Sequence, residues 1–185
     1  MRLGAFLFEV LPLLGFFIGY GFYGLFAAAI ISVGLGALVL LVAWLQERRF
    51  ARFPLFSLLL SAGFTWAAIA LDADIFIKIQ PTLFNGLFAA VLLGGLLMRR
   101  AMMREFFKHQ FALDDATWFT LSLRWGLFFL VLALVNEYVW RSFDEADWVF
   151  YKTFIAAPAS ALFMLAQLPI TLRGLANARA ETSNQ

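Results

Sequence analysis

Of 185 residues, 63% are hydrophobic and only 14% charged, whereas a soluble domain carries about a quarter charged residues to coat its surface. Lipid must therefore be the solvent for much of this chain, and no length remains for a separate soluble domain. The net charge of +2 excludes little by itself, but no basic stripe of the kind that binds nucleic acid is present, and the absence of cysteine excludes disulfides, thiolate nucleophiles and cysteine metal sites.

No charge lies between Glu9 and Glu47, a stretch of 37 residues. One straight helix of that length measures about 55 Å, against a hydrocarbon core of roughly 30 Å. The chain must bend, re-enter or cross twice, and Gly15, Gly19, Gly21 and Gly24 mark where a break is easiest. The expectation is a first segment over 4–19, short and re-entrant or crossing, then a full span over 23–45. A cleaved leader ending near Ala27-Ala28-Ala29 is not expected, because the apolar run continues to Leu45, past the usual leader core of about 7–15 residues.

Further spans are expected over 54–71, 81–98, 117–140 and 148–172. Pro54 suits a first helical turn, and Asp114 or Asp115 is placed to cap the 117–140 segment. Residues 180–185 form a polar tail. The fold class is all-α, a polytopic helical membrane bundle of about five full spans beside the first segment. Trp44, Trp118, Trp140, Trp148 and Tyr151 partly mark the interfaces.

The connections alternate in sign. Arg48, Arg49 and Arg52 follow the second segment, Arg99, Arg100, Arg104 and Lys108 the fourth, and Arg173 and Arg179 the last. The other connections carry Asp72 and Asp74, then Asp144, Glu145 and Asp147. By the positive-inside rule the C-terminus is cytoplasmic. The N-terminus is cytoplasmic if the first segment crosses and external if it does not.

The basic loop over 99–113 has its own pattern. Met102, Met103, Phe106 and Phe107 share one helical face, while Arg100, Arg104 and Lys108 recur every four residues on another. That describes a helix over 99–108 lying on anionic headgroups, with Arg99, Arg100, Arg104 and Lys108 as lipid contacts. A partner-binding helix has the same pattern.

Ionisable groups within a span are functional candidates by default. Glu9, Lys78, Arg124, Glu137 and Lys152 qualify, with Asn136 beside Glu137 and Gln80 near Lys78. Lys78, Asn136, Glu137 and Lys152 fall near the acidic, outer side, so with Glu9 they form a candidate polar cluster. The bland reading is local. Glu137 reaches Arg141 and Asp74 reaches Lys78 at four-residue spacing, Lys152 snorkels past Trp148, and Arg124 snorkels to the cytoplasmic headgroups.

Catalytic signals are lacking. His109 is the single histidine and sits in the basic loop, so no histidine metal cluster is available. Ser61, Ser122 and Ser160 have no histidine base, no phosphate-binding loop occurs, and the glycines lie in apolar runs where close helix packing is their use. No cofactor, metal or catalytic residue is expected.

The run Phe76-Ile77-Lys78-Ile79-Gln80-Pro81-Thr82 with Leu87-Phe88-Ala89 is similar to a signature of the bacterial intracellular septation protein A family, also called inner membrane-spanning protein YciB. Trp118, Leu121-Ser122-Leu123-Arg124-Trp125, Phe128-Phe129, Asn136-Glu137-Tyr138-Val139-Trp140 and Trp148-Val149-Phe150-Tyr151-Lys152-Thr153-Phe154 resemble the rest of the pattern, and Glu9-Val10-Leu11-Pro12-Leu13 its start. Ser122, Gln80 and Ile155 depart from it, standing where Asn, Lys and Gly are expected. The resemblance implies a multi-pass inner-membrane protein of envelope biogenesis, envelope integrity and membrane homeostasis, in contact with lipids and with elongation or division machinery. It implies no reaction. The competing reading is a small lipid or solute translocator with its polar site near the outer leaflet; a membrane enzyme ranks third.

The loop charges generate a first test. A compartment-sensitive reporter fused after Gln185 is expected to be active only in the cytoplasm, and one inserted within 143–147 only outside; the reverse at either position rejects this topology.

Overall fold

The computed structural model describes the backbone of residues 3–47, 52–108 and 111–183, and within these the side chains of 11–46, 55–108 and 111–180. Among the described residues the chain is helical with no strand. Among the described residues, four helical stretches are long and apolar enough to cross a membrane: Leu11–Gln46, Ile75–Leu97, Asp115–Ser142 and Glu145–Ala180. The apolar helix Leu55–Ala70 is shorter. The chain divides into two units, Met1–Gln80 and Pro81–Gln185.

In the first unit, α1 (Leu3–Glu47) is two helices joined at Gly24, whose φ of 80° and ψ of −177° lie outside the helical range. Only glycine adopts that conformation without strain. The limbs, 3–23 and 25–47, fold back on each other. Gly15 lies against Leu35 and Ile31, and a Cβ on Gly19 would stand 3.1 Å from the Cα of Ala28. The limbs measure about 31 and 35 Å. The expected break between 19 and 23 thus falls at Gly24, because this glycine alone among those nearby takes a positive φ. α2 (Arg52–Ala70) packs on the second limb, where Leu58 lies 3.3 Å from the Cβ position of Gly36.

α2 ends in a left-handed turn. The Ala73 N–H bonds back to the Ala68 carbonyl and the Asp72 N–H to that of Ile69, with Asp72 at φ 47°, which closes off two orphan carbonyls. α3 (Ile75–Leu97) begins two residues later, and Gln80 Nε2 donates to Ser61 Oγ at 2.5 Å, joining α3 to α2. α3 continues into the second unit and ends in the same device, with Arg100 N–H on Gly95 and Arg99 N–H on Leu96.

The second unit is organised around α5 (Asp115–Ser142). Leu92 and Leu93 of α3 close on Gly126, where an added Cβ would meet Leu93 Cδ2 at 2.7 Å. The short α4 (Met102–Phe107) hangs its Met103 N–H on the fully buried Ser122 Oγ at 3.2 Å. α6 (Glu145–Phe150) starts at Asp144, whose carboxylate accepts the Asp147 N–H. A π-helical turn, Tyr151–Ala156, leads into α7 (Ala157–Ala166). Its Ala157 N–H reaches five residues back to Lys152, and this wider turn makes room for Pro158, which brings no N–H and a ring that crowds the preceding turn. α7 packs its Phe163 on Phe128, stacked at 4.1 Å, and edge-on to Trp125 at 5.0 Å. α8 (Leu168–Ser183) closes on Thr117 through Gly174.

The basic loop is tied to the protein more firmly than its pattern suggests. The expected helix over 99–108 is only six residues long, because Arg99 and Arg100 are used in terminating α3. Phe106 is exposed, but Phe107 turns inward. With Met103 it packs on the buried cluster of Ala101, Leu113, Trp118 and Leu121. Burying the Phe107 ring against protein leaves Phe106 as the outward aromatic of α4.

Asp114 holds the entrance of α5. Its Oδ1 accepts the Thr117 N–H at 2.6 Å and its Oδ2 accepts from Asn177 Nδ2 of α8 at 2.8 Å. The Thr117 N–H is the main cause that lowers its pKa below the ordinary aspartate range, with the Asn177 and Thr117 side chains assisting. Asp114→Ala is expected to lose about 1–2 kcal/mol of stability, read from denaturant unfolding in mild detergent. For a carboxylate whose folded pKa is depressed, the contribution is present above its unfolded pKa and is lost as pH falls through the folded one. Wild type should thus approach the stability of Asp114→Ala in acid, below about pH 4; a pH-independent gap rejects the cap.

Candidate functional site

Three segments of the second unit bring polar groups together. α5 presents the buried Asn136 and, next to it, Glu137. α3 supplies Thr82, directly after Pro81. α6 supplies Trp148, which is fully buried.

Proton positions in this cluster follow from one constraint: an indole N–H only donates. Trp148 Nε1 donates to Asn136 Oδ1 at 3.1 Å, so the Asn136 amide nitrogen must point the other way. It donates to Thr82 Oγ1 at 2.8 Å. The Thr82 oxygen is thereby an acceptor, and its proton goes to Glu137 Oε2 at 3.1 Å. The relay ends on a carboxylate that also accepts from Trp140 Nε1 at 2.9 Å and Arg141 Nε at 2.5 Å. Arg141 in turn lies 4.5 Å over the Trp140 ring. Every link runs from donor to acceptor in one direction and finishes on the charge.

Lys152 meets this chain through Trp148, with its ammonium 5.0 Å from the indole centroid, a cation–π contact. It lies on the π-helical turn, where Tyr151 and Thr153 are buried. The Thr153 hydroxyl has no hydrogen-bond partner among the described residues, whereas Thr120, Ser160 and Thr171 all bond the carbonyl four residues back.

The expected cluster is therefore assembled in part. Asn136, Glu137 and Lys152 come together around Trp148 and Thr82. Lys78 lies in the first unit, where Asp74 pairs with it one turn back. The Glu9 side chain falls outside the described residues. Both four-residue ion pairs, Asp74–Lys78 and Glu137–Arg141, are formed. Arg124 is exposed and donates to Gln167 Oε1 at 3.3 Å. In the basic loop Arg104 pairs with Asp115 and Lys108 with Glu105, both at 2.8 Å, and the Lys108 ammonium is the main cause that holds Glu105 below the usual carboxylate range. No group of three or more His, Asp or Glu suited to a metal ion occurs among the described residues.

Thr82 and Trp148 were not singled out as polar centres from the chain alone. Thr82 had a usable signal, a hydroxyl set just inside an apolar helix after a proline. Trp148 reads equally well as an interfacial anchor, and only its depth in the fold shows otherwise.

The family model for intracellular septation protein A matches residues 5–178. The chain belongs to that family. Relatives described as inner membrane-spanning protein YciB include one from Sinorhizobium fredii, 41% identical over 81% of this chain and 69% of its own length. One from Mesorhizobium japonicum is 41% identical over 92% and 74%, and one from Brucella melitensis 38% identical over 90% and 82%. No solved structure matches. Ser122 anchors α4, and Gln80 ties α3 to Ser61.

Because Thr82 is at once acceptor and donor, its removal takes the acceptor from the Asn136 amide and one donor from Glu137, which keeps Trp140 and Arg141. Thr82→Val is expected to cost about 1–3 kcal/mol. Glu137→Gln keeps the shape but removes the charge at the end of the relay. In a double-substitution cycle the two should couple by more than about 0.5 kcal/mol, the range within which independent sites add. Additivity in lipid-detergent unfolding rejects a connected network.

Proposed function

We propose that this chain is a multi-pass inner-membrane protein of a bacterial envelope, contributing to envelope biogenesis, integrity and membrane homeostasis through contacts with proteins and lipids and without catalysis. The relatives' shared name supports the location. The observation that carries the non-catalytic reading is the relay itself. Trp148, Asn136, Thr82 and Glu137 expend their donors and acceptors on one another, so they act as an internal clamp on three helical segments. The elongation or division machinery implied by the family resemblance is the proposed class of protein partner.

The topology belongs to the same proposal. Each α1 limb is long enough to cross, which supports six crossings in place of about five, with both termini cytoplasmic. The basic connections then share the cytoplasmic side and the acidic ones the outer side, as the positive-inside rule requires.

The second reading, a lipid or solute translocator, draws on the buried Thr153 hydroxyl and on Lys152 beside it in the π-helical turn. The two readings separate experimentally. Cells lacking the protein are expected to lose resistance to detergent and osmotic shock, and the wild-type gene to restore it. Purified protein in vesicles is expected to leave the rate of phospholipid scrambling unchanged. Full envelope resistance without the protein rejects the leading reading. Scrambling that depends on wild-type protein and is lost in the fold-preserving Lys152→Met or Thr153→Val replaces it with the translocator.

A further inference from the structure

The most exposed apolar side chains of the second unit sit beside two exposed arginines. α3 is apolar to its end, where Leu97 is 89% exposed and Met98 70%. Both are next to Arg99 and Arg100, which are exposed as well. Of the four cations in this loop, Arg104 is taken by Asp115 and Lys108 by Glu105. Arg99 and Arg100 make no ion pair among the described residues, and the influence of Arg100 on Glu105 is the weakest of those acting on that carboxylate.

The backbone that carries the two guanidiniums is held in place. Arg99 stands at φ 56°, in the left-handed region, where glycine is the unstrained choice. The Arg100 N–H is bonded to Gly95 at 2.8 Å and the Arg99 N–H to Leu96 at 2.9 Å. Met102 folds over Gly95, and the Arg100 carbonyl would stand 3.0 Å from a Cβ there. A guanidinium is thus kept on a turn whose local geometry favours glycine.

We propose that the α3–α4 turn is a binding site for one anionic phospholipid, with Arg99 and Arg100 on the phosphate oxygens and Leu97 and Met98 along the acyl chains. Guanidinium forks match phosphate oxygens in pairs, and adjacent exposed apolar side chains select a lipid over a soluble phosphate. Arg104 and Lys108 contribute less, because each already faces a carboxylate, Asp115 and Glu105 respectively. The assignment rests on the proposed topology only in placing this turn at a headgroup layer.

The test uses the full chain in nanodiscs of phosphatidylcholine carrying a minor fraction of phosphatidylglycerol, with the lipid retained by the protein counted by native mass spectrometry. Arg99→Gly with Arg100→Gln removes both charges, and glycine suits the left-handed turn. At roughly fivefold per guanidinium near a headgroup layer, this pair should weaken retention about twenty-five-fold. Arg104→Gln with Lys108→Gln should change it less than about threefold, as expected for already paired surface charges. Equal losses from the two pairs, or no loss from the first with the thermal unfolding of the protein unchanged, overturn the site. So does displacement of the lipid by equimolar inorganic phosphate, which would make it a free-phosphate site. Binding is read on purified protein, so failure here leaves the envelope reading to be judged by the cellular experiment alone.

Discussion

A polar group in hydrocarbon has no water to fall back on, so each one must find its partner within the protein. The second unit is built around meeting that demand on α5. Asn136 would be costly in an apolar span, yet its carbonyl is answered by Trp148 and its amide by Thr82. The need to satisfy one amide therefore pulls α3 and α6 to the same place on α5. Glu137, adjacent in sequence, closes the chain of donors and is itself held by Trp140 and Arg141.

Toward the other end of α5 the same logic acts on backbone groups. The Met103 N–H near the start of α4 goes to Ser122, and a free N–H at the start of α5 goes to Asp114, which also reaches α8. Between the two polar ends the contacts are apolar. Gly126 admits Leu92 and Leu93, and Phe128 stacks on Phe163. Dispersion and close approach do the work there, as expected where lipid removes much of the hydrophobic drive between helices.

The polar groups fall into two kinds. Those of the Trp148–Glu137 relay have fixed donors, fixed acceptors and a shared direction, which is the character of a clamp. The Thr153 hydroxyl, with no hydrogen-bond partner among the described residues, and Arg99 and Arg100, with no ion pair among them, are less fully engaged. The first kind explains why the helices stay together, and the second is where contact with other molecules is to be sought.

The helical class and the main apolar segments were legible in the chain, because the shortage of charge and the length of each apolar run leave no soluble or strand alternative. The local ion pairs and the Asp114 cap were legible for a similar reason: a four-residue spacing or a carboxylate before a helix forms its contact whatever the rest of the fold does. The role of Gly24 was not, since several glycines nearby offer the same freedom and only the packing of Gly15 and Gly19 on the returning limb selects one. Nor did periodicity separate Phe106 from Phe107, which share a helical face until Ala101, Leu113 and Trp118 bury one of them. Asn136 and Glu137 stood out as costly residues in a span, but their partners lie 54 and 55 positions away at Thr82. Such a pairing has no local spacing to reveal it. It exists only because the tertiary fold brings α3 beside α5 and leaves each buried donor one acceptor to reach.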